Sequence, residues 1–489
     1  MDRIKASGKA LVDDKGRERI FHGVNFCDKS DYIPGEQKVQ DLDEEMIKKV
    51  AQNGVNLIRL GFTWAKVEPA PGEYNDAYLD KLAETLDLLE KYNIYAYLDM
   101  HQDLYSSTTN SDGAPAWAVL LDGIPVKPMK FVWAEGYFWG KACHRAFDNF
   151  WANRKVRGKG LQDYYADCWE HIVEKLGDKP AVIGYDVMNE PFLGSSGGKV
   201  FKRIVAGAVK TILFDPEVKR SDLIKELFDK EDPIGKVLTH IEYAPFHRVT
   251  KSSEELIRTF DTKVYAPFLA KVAAKIRNYS DKIIIMENCY YSNLGIPFCA
   301  PAIKVNGERD ENQVFAPHAY DLMVDTPSYK FAHNGRVAGI FGEHRNSQKR
   351  LDVPVIVGEW GSFGDDTDDW LPHIQHLFEV FEGYKWSHTY WAFIPDFFEN
   401  RLMKVFRRPF PKAVAGKIDS YHYDLKEKEF TLSFTQSDDD FNETVIGTPF
   451  DEIELVTVDG KEKKAKVKNH EIVIKTKPGK HTVVVKVDD

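Results

Sequence analysis

The chain has 489 residues, enough for one large domain and a smaller one, each with its own core. A formal net charge of −10 argues against nucleic acid as the main partner. The five cysteines are scattered, odd in number and without CxxC spacing, and so indicate neither a disulfide framework nor a zinc site.

The opening residues, MDRIKASGKALVDDKGRERI, lack the apolar stretch of an export signal, and no run of about 18 apolar residues offers a membrane span. The expectation is a cytoplasmic protein, or a secreted one if this is a mature form without its signal. Short apolar runs then recur at 20–26, 57–62, 94–100, 182–188, 282–287, 313–317, 353–357 and 388–393. Helical patterns lie between several of them: 42–52, opened by Asp41 with Glu44 three residues on as a capping pair, and 77–92. Near-continuous apolar strands alternating with helices predict an α/β fold whose parallel sheet is covered on both faces. Eight such units close a (β/α)8 TIM barrel, here expected over 1–413, with its active site at the carboxyl ends of the strands. An open doubly wound sheet is the alternative, and the lack of GxGxxG after the first run weakens its dinucleotide-binding version.

Two long insertions interrupt the barrel pattern. The first, 103–159, is rich in rings: Trp117, Phe131, Trp133, Tyr137, Phe138, Trp139, Phe147, Phe150 and Trp151. The second, 194–253, contains VFKRIVAGAVKTILF, where helical spacing puts Phe201, Val205, Ala208 and Ile212 on one face and Lys202, Arg203 and Lys210 opposite. Loops this long in a barrel are usually walls or lids of a site. From 414 to 489 the texture changes to alternating segments such as EFTLSF and EIVIKTKPGKHTVVVKV with Asp-Gly and Pro-Gly turns, which predicts a small C-terminal antiparallel β-sandwich. Its lysines read as the solvated face of strands.

The chemistry sits at strand ends. In VIGYDVMNEP an apolar run stops on Asn189 and Glu190, and VPVIVGEWG repeats the device with Glu359. Cleaving a glycosidic bond needs two such carboxyls, one to protonate the leaving oxygen and one to attack or stabilise the anomeric carbon. Glu190 must stay protonated until it acts, so burial or nearby negative charge should raise its pKa, whereas Glu359 must remain ionised and needs donors. Arg59 at the second strand end suits a carboxylate partner, and the Tyr320 hydroxyl, beside His318 in HAY, suits the same role. His101 and Asp103 of DMHQD fit sugar hydroxyls, and Trp391 of YWAF offers a flat face for a pyranose ring. Taken singly, an Asn-Glu-Pro is more often a helix start, and each of these histidines, the arginine and the tryptophan is as readily structural. Together they repeat one register six times.

With HGVN, RLGFTW, DMHQD, VMNEP, APHAY, GEWG and YWAF in this order from Phe21 to Phe393, the sequence resembles the family 5 glycoside hydrolases, and within them most resembles the endoglycoceramidases and related glycosylceramidases. APHAYD, GEWGSF and RPFPKAVAG ahead of the β-domain carry the narrower likeness. The resemblance implies Glu190 as acid/base, Glu359 as nucleophile and Asn189 as the holder of the sugar 2-hydroxyl. Lys29 in NFCDKSD corresponds to a sugar-contacting lysine of that group. It further implies a retaining double displacement, no metal and no cofactor, and a β-glycoside or glycolipid substrate whose glucose-type sugar is linked to ceramide. A monomer and a peripheral contact with a membrane surface or micelle are expected. An endo-β-glucanase or mannanase and a steryl or aryl β-glucosidase stay open as alternatives; a non-catalytic glycan-binding barrel is disfavoured, since both carboxylates are present.

Overall fold

Eight parallel strands form one sheet in the computed structural model: β1 (His22–Asp28), β2 (Leu57–Thr63), β3 (Tyr95–His101), β4 (Val182–Asp186), β5 (Ile283–Glu287), β6 (Gln313–Ala316), β7 (Ile356–Val357) and β8 (Ser387–Tyr390). Residues 1–30, 42–130, 132–226, 228, 233–324, 328–361, 367–394, 396–437 and 442–488 are described. Asp41, Phe131 and the Ser362 and Phe363 of GEWGSF lie outside the described residues. Strand order is β6-β5-β4-β3-β2-β1-β8-β7, and parallel bridges from Phe315 to Val355 and from His318 to Glu359 join the two edges into a closed ring. Every residue of these strands except Cys27 is buried, as expected for a sheet covered on both faces. The ends differ from the sequence expectation by a few residues: 20–26 becomes His22–Asp28, and 353–357 shrinks to Ile356–Val357. A uniformly apolar run carries no period to mark its limits.

Helix α1 (Glu44–Gln52) begins later than expected. Its cap is Asp43, whose side chain accepts from the Met46 N–H at 2.9 Å. Helix α2 (Asp76–Lys91) is capped by Asn75 in the same way and buries Leu79, Leu82, Leu86 and Leu89 against the barrel. Each such buried leucine contributes about 1.5–3 kcal/mol. The amino end of the barrel is plugged by a hairpin of Ile4–Ser7 and Ala10–Asp13, which sets Ile4 and Leu11 against Phe21, Tyr95, Ile283 and Val314. With that end closed, the opening lies at the carboxyl ends.

The insertions behave differently from each other. In the first, Tyr137, Phe147 and Phe150 are buried, and among the described residues Trp133 and Trp139 are the exposed rings, at 40% and 51%. Most of its aromatic content is therefore core. In the second, helix α3 (Ser195–Phe214) turns most of the expected face inward: Phe201 and Ile212 pack on the core beside Ile204, and Val200 is buried, while Val205, Val209 and Leu213 stand 46%, 53% and 53% exposed. Of the four residues of the expected face, Val205 is the one that turns out, into a solvent-facing apolar stripe with Val209 and Leu213.

The C-terminal part consists of two antiparallel sheets. One holds β9 (Phe410–Ala413), β12 (Glu443–Gly447) and β15 (Glu471–Lys475); the other orders β10 (Lys417–Asp424), β11 (Glu429–Gln436), β16 (Gly479–Val487), β13 (Ile453–Val458) and β14 (Lys461–Glu462). Burial alternates along β11, with Phe430, Leu432 and Phe434 inward against Ile418, Ile446 and Val485. The first sheet takes in Phe410, ahead of residue 414. The two parts are tied by Arg408, which lies 3.6 Å over the Phe378 ring and donates to Glu382 at 2.7 Å, while Glu382 also meets His422 of β10 at 2.8 Å.

Candidate active site

Register decides which polar groups meet inside the ring. Asn25 pairs with Arg59 across β1 and β2, Gly61 with Asp99 across β2 and β3, and Asp99 with Asp186 across β3 and β4. Arg59 is 1% exposed and occupies the centre. Its guanidinium donates through Nη1 to Glu359 Oε1 at 2.7 Å, through Nη2 to Glu287 Oε1 at 2.6 Å and Asn189 Oδ1 at 2.9 Å, and through Nε to Asp186 Oδ2 at 3.1 Å. Asp99 Oδ1 lies 3.0 Å from Nη2. Burial works against its charge, but these carboxylates, Asp99 foremost, hold its pKa well above the usual value. A planar fork with five donors suits this role, and a lysine could not replace it.

Glu190 and Glu359 converge. A carboxylate oxygen of each and a ring nitrogen of His318 all lie within 4.8 Å of one another. Glu190 sits at φ +37°, a left-handed conformation uncommon outside glycine and a form of strain found at functional sites. Its backbone N–H is anchored on Glu287 Oε2 at 2.7 Å, and its Oε1 faces His318 Nδ1 at 3.1 Å and Asn293 Nδ2 at 2.5 Å. Burial, with the charges of Glu359 and Asp103, pushes its carboxyl up to about 7 against the pull of His318. Glu359 accepts from Arg59 and, through Oε2, from the Tyr320 hydroxyl at 2.9 Å. One carboxyl is thus poised to carry a proton near neutrality, and the other is surrounded by donors.

His318 is fully buried among carboxylates, with Nε2 3.2 Å from Glu287 Oε1 and Nδ1 3.6 Å from Glu359 Oε2. Its burial is outweighed by those charges, Glu287 first, and its pKa stands well above the ordinary value. Glu190, His318 and Glu359 thus form one compact cluster of titratable groups, with a ligand atom of each within 4.8 Å of the others. Below it, burial and the Glu287 charge raise Asp186 far above the carboxylate range, while His318 and Arg59 overcome the burial of Glu287 and hold it down to about 2.

A second cluster flanks the first. His101 Nδ1 meets Asp99 Oδ2 at 2.7 Å, and its ring stacks on Trp391 with centroids 5.4 Å apart and planes 8° from parallel. Lys29 Nζ donates to Asp103, lies 4.0 Å from Asp112 and sits 4.6 Å over the Trp391 ring. Asn189 donates through Nδ2 to the Gln102 carbonyl at 3.0 Å, so its amide is clamped between Gln102 and Arg59. All ten residues singled out from the sequence, Lys29, Arg59, His101, Asp103, Asn189, Glu190, His318, Tyr320, Glu359 and Trp391, therefore belong to one connected constellation.

Sequence reasoning passed over Asp99, Asp112, Asp186, Glu287 and Asn293. For Glu287 the signal was present: IIIMENC is a third apolar run that ends on an acid, as VMNEP and VGEWG do. Asp99 and Asp186 lie within strands, where nothing local separates an inward carboxylate from a mistaken strand assignment.

The chain matches the pattern of cellulase (glycosyl hydrolase family 5) over residues 12–214 and 250–396, and that of the glycoside hydrolase family 5 C-terminal domain over 408–487. It is 36% identical over 217 residues to an endoglycoceramidase of Cyanea nozakii, an overlap of 39% of this chain and 42% of that protein, less than half of its length. It is 30% identical over 455 residues to endoglycoceramidase I of Rhodococcus hoagii (strain 103S), covering 88% of this chain and 77% of the relative. Endo-glycoceramidase II from Rhodococcus sp., solved as a ganglioside GM3 complex, superposes with a TM-score of 0.75 at 23% identity, over 99% of this chain and 100% of that one; this likeness is one of fold.

Proposed function

This chain belongs to glycosyl hydrolase family 5, and on that premise we propose that it hydrolyses, with retention, the β-glycosidic bond between a glucose-type sugar and a lipid aglycone such as ceramide. The observation that carries the reading is the approach of Glu190 and Glu359, with oxygens within 4.8 Å of one another and a ring nitrogen of His318. Retaining pairs stand about 5–5.5 Å apart, whereas the water of an inverting enzyme needs about 6.5–9.5 Å. Glu190, raised to about 7, protonates the glycosidic oxygen as the bond to the anomeric carbon breaks and Glu359 bonds to that carbon. Water then displaces Glu359, giving its proton to Glu190. Arg59 and Tyr320 donate to Glu359 and aim it, and Asn189, His101, Asp103, Lys29 and Trp391 line the sugar side.

The test is incubation with glucosylceramide, lactosylceramide and cellotetraose, product identification, and NMR of the anomer first released. Free ceramide with a β-anomer is the expected result. Turnover of cellotetraose alone would make the protein an endoglucanase, and an α-anomer would overturn the retaining assignment. Glu359→Gln should lose turnover on every substrate.

The substrate's lipid end gives a role to the rim. Among the described residues, every exposed large apolar side chain except Met1, Tyr279 and Val473 lies in a segment that follows the carboxyl end of β3, β4, β6 or β8. The 195–226 stretch adds seven Lys or Arg against four Asp or Glu, in a chain whose net charge is −10. This end of the barrel is read as meeting an anionic lipid surface. Val209→Asp with Leu213→Asp should weaken sedimentation with phosphatidylserine vesicles and spare hydrolysis of a soluble aryl glucoside; unaltered sedimentation would refute the contact.

A further inference from the structure

Glu190 is gripped at one oxygen. Oε1 accepts from Asn293 Nδ2 at 2.5 Å and from His318 Nδ1 at 3.1 Å, while Oε2 meets no partner among the described residues. Asn293 stands in the short turn Tyr290–Leu294 that follows β5, with its side chain buried.

The orientation of that amide is set from a distance. The backbone N–H of His318 can only donate, and it donates to Asn288 Oδ1 at 2.9 Å. Asn288 is left with its Nδ2, which donates to Asn293 Oδ1 at 2.6 Å and to the Cys289 carbonyl at 3.1 Å. Asn293 in turn has only Nδ2 to offer Glu190. A side-chain amide has one accepting end and one donating end, so a direction imposed at a peptide N–H passes through two amides to the carboxyl.

We propose that Asn293 is a positioning residue: with His318 it fills Oε1 of Glu190 with donors and so confines the exchanged proton to Oε2. This rests on the reading of Glu190 as acid/base given above. An oxygen whose two lone pairs both accept N–H bonds holds no proton, so the neutral acid carries its O–H on the oxygen left without a protein partner. In the first step that O–H passes to the glycosidic oxygen as the C–O bond breaks and Glu359 Oε bonds to carbon. In the second, Oε2 takes a proton from water as the water oxygen displaces Glu359. The Asn293 donor also stabilises the carboxylate formed between the two steps. The other charged groups around this carboxyl are His318, Glu359 and Asp103, with Glu287 on its backbone N–H. None of these, apart from His318, donates to Oε1.

The test measures kcat/KM across pH for Asn293→Ala and Asn293→Asp with β-glucosides of graded leaving-group ability, from dinitrophenyl to alkyl. With the donor gone, the alkyl substrate should lose about 10- to 100-fold and the dinitrophenyl substrate less than about threefold, because only a poor leaving group needs the proton. The descending basic limb should move up by about one pH unit, since the charged form has lost a hydrogen bond. Asn293→Asp keeps the shape and adds a like charge, and its limb should move the same way. Asn288→Ala, which frees the Asn293 amide to turn, should give the same changes in smaller degree. An equal loss for every leaving group with the limb in place would overturn the proposal and leave Asn293 a packing residue. If the unaltered protein hydrolyses none of the series, the acid/base reading itself falls, and this proposal with it.

Discussion

Replacing Glu359 by Gln should lower the pKa of Glu190, and by an amount that measures how far the two carboxyls act as one system. The carboxylate oxygens approach within 4.8 Å. At a charge separation of about 5.5 Å and an effective dielectric of about 20, two unit charges repel by about 3 kcal/mol, about two pH units. The His318 imidazolium stands between them, 3.1 Å from Glu190 Oε1 and 3.6 Å from Glu359 Oε2, and offsets part of that repulsion. Burial, the largest contribution to the raised value, is untouched by the substitution. The expected outcome is a fall of roughly one unit from about 7. The assay is a carbon-13 NMR titration of protein labelled at the glutamate δ-carboxyl, with the Glu190 resonance assigned by its disappearance in Glu190→Gln. A titration unmoved by the loss of Glu359 would mean that burial alone sets the acid, and an upward movement would refute the proposed coupling. The same charge is removed when Glu359 forms its ester with the sugar, so the fall would also show how Glu190 turns from acid to base between the two steps.

Further expectations follow from the same geometry. Because Glu190 acts in its protonated form and is raised to about 7, kcat/KM of the free enzyme should decline as pH rises through that value, and a limb two units higher or lower would contradict the assignment. Tyr320→Phe removes the 2.9 Å donor on Glu359 Oε2; a hydrogen bond to a charged group contributes about 1.5–3 kcal/mol, so kcat/KM should drop about 10- to 100-fold with the melting temperature little changed. Trp391→Ala deletes both the face that His101 stacks on and the ring beneath Lys29, and should raise KM more than it lowers kcat in steady-state measurements.

Burial of Arg59 among so many acids bears on folding as well as on chemistry. A guanidinium at 1% exposure is stable only because carboxylates and an amide answer its donors, and removing it would take a counter-charge from Asp99, Glu287 and Glu359 in a buried site. Breaking a buried ion pair from one side costs about 3–5 kcal/mol, so a change at Arg59 confounds stability with activity. Tyr320 and Asn293 are cleaner probes, because each contributes a neutral donor.

Alternation, composition and strand-end chemistry let the chain alone specify a barrel followed by a β-sandwich and name the residues that gather at its mouth. They did so because an apolar run that stops on a glutamate is a local feature, visible without knowing what lies opposite. Other facts depended on three-dimensional neighbours. The third glutamate, Glu287, ends its strand much as Glu190 and Glu359 follow theirs, yet whether it works as an acid or as an anchor is decided by Arg59 of β2, His318 just beyond β6 and the Glu190 N–H just beyond β4. On α3 helical spacing places Phe201 and Ile212 inward but misjudges Val205, because packing of Val200 and Ile204 on the barrel sets the rotation of the helix and leaves Val205, Val209 and Leu213 outside. Asn293 carries no sequence signal at all. Its meaning arises from a chain of hydrogen bonds that begins at a peptide N–H 25 residues away, and such a direction exists only once the ring has closed.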